Sequence, residues 1–126
     1  MQMNDYSEDR IQQDCYMWFN NNFRNLRKML FAVPNGGKRD VVEAKRMKAT
    51  GTVSGVSDLI LAYGGTCHFI EMKTSTGRQD DEQVKFQKGV EAQGMNYYLC
   101  RTLEDFIRIV KNIVHETEFQ NHKSIS

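Results

Sequence analysis

From Asp5 to about Leu26, apolar residues recur at spacings of three and four (Ile11, Cys15, Trp18, Phe19, Phe23, Leu26), which predicts an amphipathic helix. Residues 29–33 form a short apolar run that stops at Pro34 and Asn35-Gly36-Gly37, as a strand entering a loop would. Residues 38–49 are basic and read as helical, with Gly51 and Gly55 as punctuation behind them. Two β-prone runs follow, Asp58–Tyr63 and Thr66–Lys73, separated by Gly64-Gly65. That pair predicts a two-residue hairpin turn, because both turn positions need positive φ. A polar turn at Gly77 leads into a helix over about Asp80–Gln93, stopped by Gly94, and then a strand over Met95–Arg101. Thr102 caps a last helix that buries Leu103, Phe106, Ile107, Val110, Ile113 and Val114. Past His115 the chain turns polar, so residues 1–115 read as one domain and 116–126 as a flexible tail. The order of elements predicts an α/β fold with a small mixed central sheet flanked by helices.

The hairpin has a chemical consequence. With Gly64-Gly65 at the turn, Tyr63 faces Thr66, Ala62 faces Cys67, Ile60 faces Phe69, and Asp58 faces Glu71. Directly opposed side chains share a sheet face with Cβ atoms about 4.5–5.5 Å apart, and the two-residue period adds Lys73 to that face. Two carboxylates so placed raise each other's pKa, so one must be protonated, a base must lie close, or a cation must be bound. Lys73 is one base for two acids. The plain reading is a cross-strand salt bridge on a solvated face; the other is a site for a hard divalent cation such as Mg²⁺ or Mn²⁺. Glu8 and Gln83 also fall on the apolar stripes of their helices, three residues before Ile11 and Phe86 respectively. Each has a capping explanation, Glu8 in a box with Asp5 and Gln83 in one with Asp80.

Composition narrows the classes. A chain of 126 residues with 40% hydrophobic and 26% charged residues is expected to form one soluble globular domain. No uninterrupted apolar stretch exceeds five residues, as in Leu59–Tyr63, too short to cross a membrane, and the acidic start has no apolar signal core. Cys15, Cys67 and Cys100 form no C-x-x-C pair, and His68, His115 and His122 are scattered. This argues against a disulfide framework or a structural zinc and for a reducing, cytoplasmic compartment. The net charge of +1 conceals a basic segment, since residues 24–48 carry eight bases against Asp40 and Glu43. That segment could contact phosphates or be a solvated face, and composition leaves the two even.

Collectively these residues resemble the PD-(D/E)xK phosphodiesterase superfamily and, within it, the VRR-NUC (virus-type replication-repair nuclease) family. The paired motif reads Ser57-Asp58, twelve intervening residues, then Glu71-Met72-Lys73. The wider match adds Glu8, Pro34-Asn35-Gly36-Gly37, Gly55-Val56, Phe69-Ile70, Gly77-Arg78, Gln83 and Gly94, and spans about Asp5 to Val114. Two positions depart from the pattern: Ser57 stands where proline is frequent, and Asp80 where serine or threonine often starts the glutamine-bearing helix. The first loses proline's fixed φ but keeps the neighbouring aspartate; the second keeps an equally good N-cap.

The resemblance implies a restriction-endonuclease-like core and a Mg²⁺- or Mn²⁺-dependent endonuclease acting on DNA. It implies Asp58, Glu71 and the backbone carbonyl of Met72 as metal ligands, with Glu8 binding directly or through water. Lys73 would orient the nucleophilic water or stabilise the transition state, and Gln83 would bond Lys73 or the nucleophile. Phosphate contacts would fall to Lys38, Arg39, Lys45, Arg46 and Lys48, and to the backbone N–H groups of Asn35, Gly36 and Gly37. Minimal chains of the family resemble homodimeric nucleases that cut branched DNA such as four-way (Holliday) junctions, in repair, recombination or replication. The alternatives are a catalytically silent DNA-binding module of the same fold and a partner-binding α/β domain.

Overall fold

The computed structural model describes residues 7–34 and 40–125, with side chains through residue 115. The elements in chain order are α1 (Glu8–Asn22), a 3-10 turn (Arg24–Met29), β1 (Leu30–Ala32), α2 (Val41–Ala49), β2 (Leu59–Tyr63), β3 (Thr66–Met72), α3 (Asp81–Ala92), β4 (Asn96–Cys100) and α4 (Leu103–Ile125). The sheet order is β1-β2-β3-β4. The first two pairings are antiparallel and the third is parallel, with α3 as the crossover from β3 to β4. This is the mixed sheet flanked by helices that the hydrophobic pattern predicts.

The hairpin forms in the predicted register: Tyr63 pairs with Thr66, Ala62 with Cys67, Ile60 with Phe69, and Leu59 with Ile70. Gly64 and Gly65 turn the chain at φ of 69° and 81°. The register divides the strands into two faces. Leu59, Leu61, Ile70 and Met72 point into the main core with Leu30 and Cys100, against Ile11, Cys15 and Phe19 of α1 and Phe106, Val110 and Ile113 of α4. The opposite face carries Phe69, whose ring meets Phe86 of α3 edge-on, with Phe86 in turn against Tyr97 of β4. Cys15 and Cys100, distant in sequence, meet in the main core, where their contact and burial push the Cys15 thiol far above its usual range.

Helix ends follow local chemistry. Ser7 caps α1 by accepting from the Arg10 amide (3.1 Å), so the helix begins at Glu8 and not at Asp5. It also ends before Leu26. The Asn22 side chain bonds the Trp18 carbonyl (2.8 Å) and the Arg27 guanidinium bonds the Asn20 carbonyl (3.0 Å), so the last turn closes on side chains and the chain continues as a 3-10 turn. Trp18 sits edge-on to both Phe23 and Phe106, which fastens that turn to α4. Thr102 caps α4 through the Asp105 amide (3.0 Å), as predicted. The α4 backbone then runs on to Ile125, beyond the predicted end at His115, because no Gly or Pro follows Gly94 to stop it.

One glycine joins the loop before β2 to the helix behind the hairpin. Gly55 has φ of +87°, and a Cβ there would fall on the Glu82 carbonyl and the Gln83 amide in the first turn of α3. Gly65 has a similar φ of +81° with open space around it. Gly65→Ala is therefore expected to cost only the left-handed backbone term, about 1–2 kcal/mol. Gly55→Ala is expected to cost about 1–3 kcal/mol more from overpacking. Urea unfolding of the two variants checks this; equal losses would show that the loop yields freely.

Candidate active site

The Asp58 carboxylate lies where the hairpin ladder gives out. Beyond Leu59–Ile70, the next amide of β3 on this side, that of Met72, donates to Asp58 Oδ2 (2.7 Å). The backbone carbonyl of Asp58 accepts from Val33 (2.9 Å), so the residue is tied to both neighbouring strands. Ser57 is fully buried, and its hydroxyl donates to the Leu59 carbonyl (3.1 Å). A hydrogen bond thus braces this turn at the position where a proline ring would restrict φ.

Glu71 is 1% exposed and Lys73 7% exposed, on the sheet face that α3 covers. Burial at this level overturns the salt bridge on a solvated face, because Gln83 and the first turn of α3 close over the open end of the hairpin. Glu71 Oε2 accepts from Gln83 Nε2 (2.7 Å) and has Lys73 Nζ at 3.6 Å. Glu71 Oε1 is buried and has no hydrogen-bond donor. Asp58 lies against the same carboxyl group. Desolvation, followed by the Asp58 charge, pushes the Glu71 carboxyl up to about 8, against the pull of Lys73. Desolvation also raises Asp58, although the Met72 amide and Lys73 act to lower it. One ammonium group does not compensate a buried and a half-buried carboxylate.

Glu8 opens α1 and is half-buried; its charge adds to the upward push on Glu71, and that of Asp9 to the push on Asp58. The predicted capping box between Glu8 and Asp5 is replaced by the Ser7 cap, and Asp5 lies outside the described residues. Among the described residues no three His, Cys, Asp or Glu side chains form a metal-holding group. Glu8 therefore does not join Asp58 and Glu71 in one such group. The donors at the pair are all oxygen, and Oε1 of Glu71 is buried with no hydrogen-bond partner. That donor chemistry fits a hard dication, which would satisfy the orphaned oxygen and the surplus negative charge together.

Gln83 caps α3 and reaches the Glu71 carboxylate at once. Its Oε1 accepts from the Asp80 amide (2.9 Å) and its backbone N–H donates to the Asp80 carboxylate (2.8 Å), completing a capping box, while Nε2 donates to Glu71. Its partner is Glu71 and not the expected Lys73, because the box fixes the side-chain oxygen and leaves only the amide donors to face the carboxylate.

Sequence reasoning missed the brace on Lys73. Arg101 Nη1 donates to the carbonyls of Thr74 (2.6 Å) and Gly77 (2.8 Å), folding that turn back so that Gly77 lies against the Lys73 side chain. The parallel pairing of Met72 with Cys100 brings Arg101 alongside Lys73, and no local sequence signal marks it. Of the predicted phosphate contacts, Lys45, Arg46 and Lys48 are exposed on α2, which buries no residue. Asn35, Gly36, Gly37, Lys38 and Arg39 lie outside the described residues.

A mixed sheet between helices, with an aspartate and a Glu-x-Lys strand at the open end of its hairpin, defines a restriction-endonuclease-like fold. The chain has the fold of a VRR_NUC domain protein of solved structure, which it matches with a TM-score of 0.72 over 85% of this chain and 87% of that one, at 18% sequence identity. No protein-family model and no curated protein matches the sequence.

The raised carboxyl groups fix the sign of a pH dependence. Between the ordinary Glu value of 4.5 and about 8, metal-free folded protein holds a proton on Glu71 that the unfolded chain has released. Stability is therefore full below that window and declines as pH rises through it. Thermal melts of chelator-treated protein should show Tm falling from pH 5 to 8, with a shallower fall for Glu71→Gln. A Tm that rises over this range would contradict the burial argument.

Proposed function

We propose that the protein is a Mg²⁺- or Mn²⁺-dependent endonuclease that hydrolyses phosphodiester bonds in DNA. The observation that carries this reading is the buried Glu71 carboxylate, with one oxygen unpartnered, against Asp58 and beside Lys73. The shared fold with a VRR_NUC domain protein supports it. Asp58, Glu71 and the Met72 backbone carbonyl would hold the ion, with Glu8 acting through water. When bound, the ion supplies charge neutralisation at the scissile phosphate and a water acidic enough to attack it.

The chain's own residues do the rest. The Met72 amide and Ser57 fix Asp58 in place, and Gln83 fixes Glu71, so the ligands are held before substrate arrives. Lys73, held by the Arg101-braced turn, either orients the attacking water or stabilises charge on the phosphorane oxygens. The basic face of α2 (Lys45, Arg46, Lys48), together with Lys38, Arg39, Asn35 and Gly36, contacts the DNA backbone. We further propose a homodimer with two such sites acting on branched DNA such as a four-way junction, a substrate whose near-twofold symmetry suits a twofold enzyme. Its setting would be repair, recombination or replication in a reducing compartment, consistent with the free, buried thiols of Cys15 and Cys100. A silent DNA-binding module is disfavoured because Asp58, Glu71 and Lys73 are all present and grouped.

Mapping cuts on nicked, flap and four-way-junction DNA in Mg²⁺ or Mn²⁺ tests the proposal. Asp58→Ala, Glu71→Ala and Lys73→Ala should each cleave at least about 100-fold more slowly, while still binding DNA. Near-wild-type cleavage by any purified variant would remove that residue from the mechanism, and its retention in Asp58→Ala would remove the mechanism itself. Replacing Lys45, Arg46 and Lys48 together by alanine should lower the salt slope of duplex binding by about 2 to 3. An unchanged slope would place the phosphate footprint elsewhere.

A further inference from the structure

A groove runs between α1 and the edge strand β1, away from the carboxylate pair. It consists of two adjoining cavities of about 360 and 400 Å³ that share Tyr16 and Phe31 in their walls. The first is bounded by Asp9 and Ala32. Asp9 is the acid whose charge reaches Asp58, and Val33, next to Ala32, bonds the Asp58 backbone, so this end abuts the proposed cutting site. The second cavity ends at Arg27 and Lys28, neither of which has an acidic partner among the described ion pairs.

The walls are unusual for a surface left to water. Tyr16 is 41% exposed and Phe31 44% exposed, the one on α1 and the other on β1. Asn20, which lines the basic end, has a buried side-chain oxygen with no hydrogen-bond donor. From Asp9 to Asn20 the wall follows one face of α1 for about 16 Å at 1.5 Å per residue, room for about five nucleotides stacked at 3.4 Å. Aromatic faces with cations beside them are what an unpaired strand requires: the rings stack on bases and the cations meet phosphates. A duplex keeps its base faces stacked on one another and offers none to these rings.

We propose that the α1–β1 groove binds single-stranded DNA, guiding an unpaired strand away from the carboxylate pair with Tyr16 and Phe31 as stacking platforms and Arg27 and Lys28 on its backbone. The proposal rests on the reading of Asp58 and Glu71 as the cutting site and adds a substrate feature to it, an unpaired segment next to the cut.

Binding measured without catalysis separates the two. Fluorescence anisotropy in EDTA, with labelled oligothymidylate and with a duplex of equal length, compares wild type with the Tyr16→Ala/Phe31→Ala double variant. The expected result is at least about a tenfold loss for the single strand, in keeping with about 1–3 kcal/mol per stacked base, with little change for the duplex. Tyr16→Phe should retain binding, and Lys28→Ala should make the single-strand salt dependence shallower. Unchanged oligothymidylate affinity in the double variant would overturn the proposal, as would equal losses for both DNAs. So would conversion of a wild-type dimer to a monomer in sedimentation, which would assign the groove to a second copy of the chain. Thermal melts verify that the double variant is folded; if it is not, the same comparison with Phe31→Ser alone decides. Failure here leaves the Asp58 and Glu71 cleavage test untouched, and failure there leaves this binding result standing.

Discussion

Two carboxyl groups pressed together, Glu71 buried and Asp58 half-buried, set the terms for the rest of the molecule. Removing one carboxylate from solvent is costly, and adding a second beside it multiplies the cost, since their repulsion is poorly screened at low local dielectric. The hairpin makes this unavoidable: its register places residues 58 and 71 across from each other, and α3 closes over them. A protein can tolerate such a pair by retaining a proton or by taking up a cation. Lys73 offsets only part of the charge, and one oxygen of Glu71 remains without a donor. The local strain is affordable because the opposite face of the sheet carries an apolar core drawn from α1, α4 and four strands.

Around that pair, single residues serve two structural ends. Gln83 closes the cap of α3 and grips Glu71, so the position of a carboxylate is coupled to the start of a helix. Gly55 lets the loop before Asp58 lie directly on that same helical turn, where any side chain would collide with backbone. Arg101 leaves β4 and holds the turn that packs on Lys73. Each link ends on backbone or on a side chain held by more than one hydrogen bond, which limits how far the functional groups can drift.

The strands, the hairpin register and the juxtaposition of Asp58 with Glu71 were legible because they depend on local periodicity and on one Gly-Gly turn. The closeness of Lys73 to Glu71 follows from the same two-residue period. What stayed hidden depends on contacts between distant segments. The position of Arg101 needs the parallel β3–β4 pairing, which no turn signal encodes. The meeting of Cys15 with Cys100 needs α1 to lie across that sheet. The Gln83 bond to Glu71 has a different origin: capping and site contact are compatible, because a side-chain amide has two ends and can satisfy both. The α1 boundaries were misplaced because side chains of Ser7, Asn22 and Arg27 decide where the helix starts and closes, and the apolar stripe does not report them.

Under the proposed function, the Asp58–Glu71 pair exchanges a proton for a divalent cation. Calorimetric titration of Mn²⁺ near pH 6.5, repeated in buffers of different ionisation enthalpy, measures ion and proton together. The account predicts saturable binding with release of about one proton per ion, and loss of that release in Glu71→Gln. Absence of saturable binding, or binding whose proton release is the same in Glu71→Gln, would contradict it.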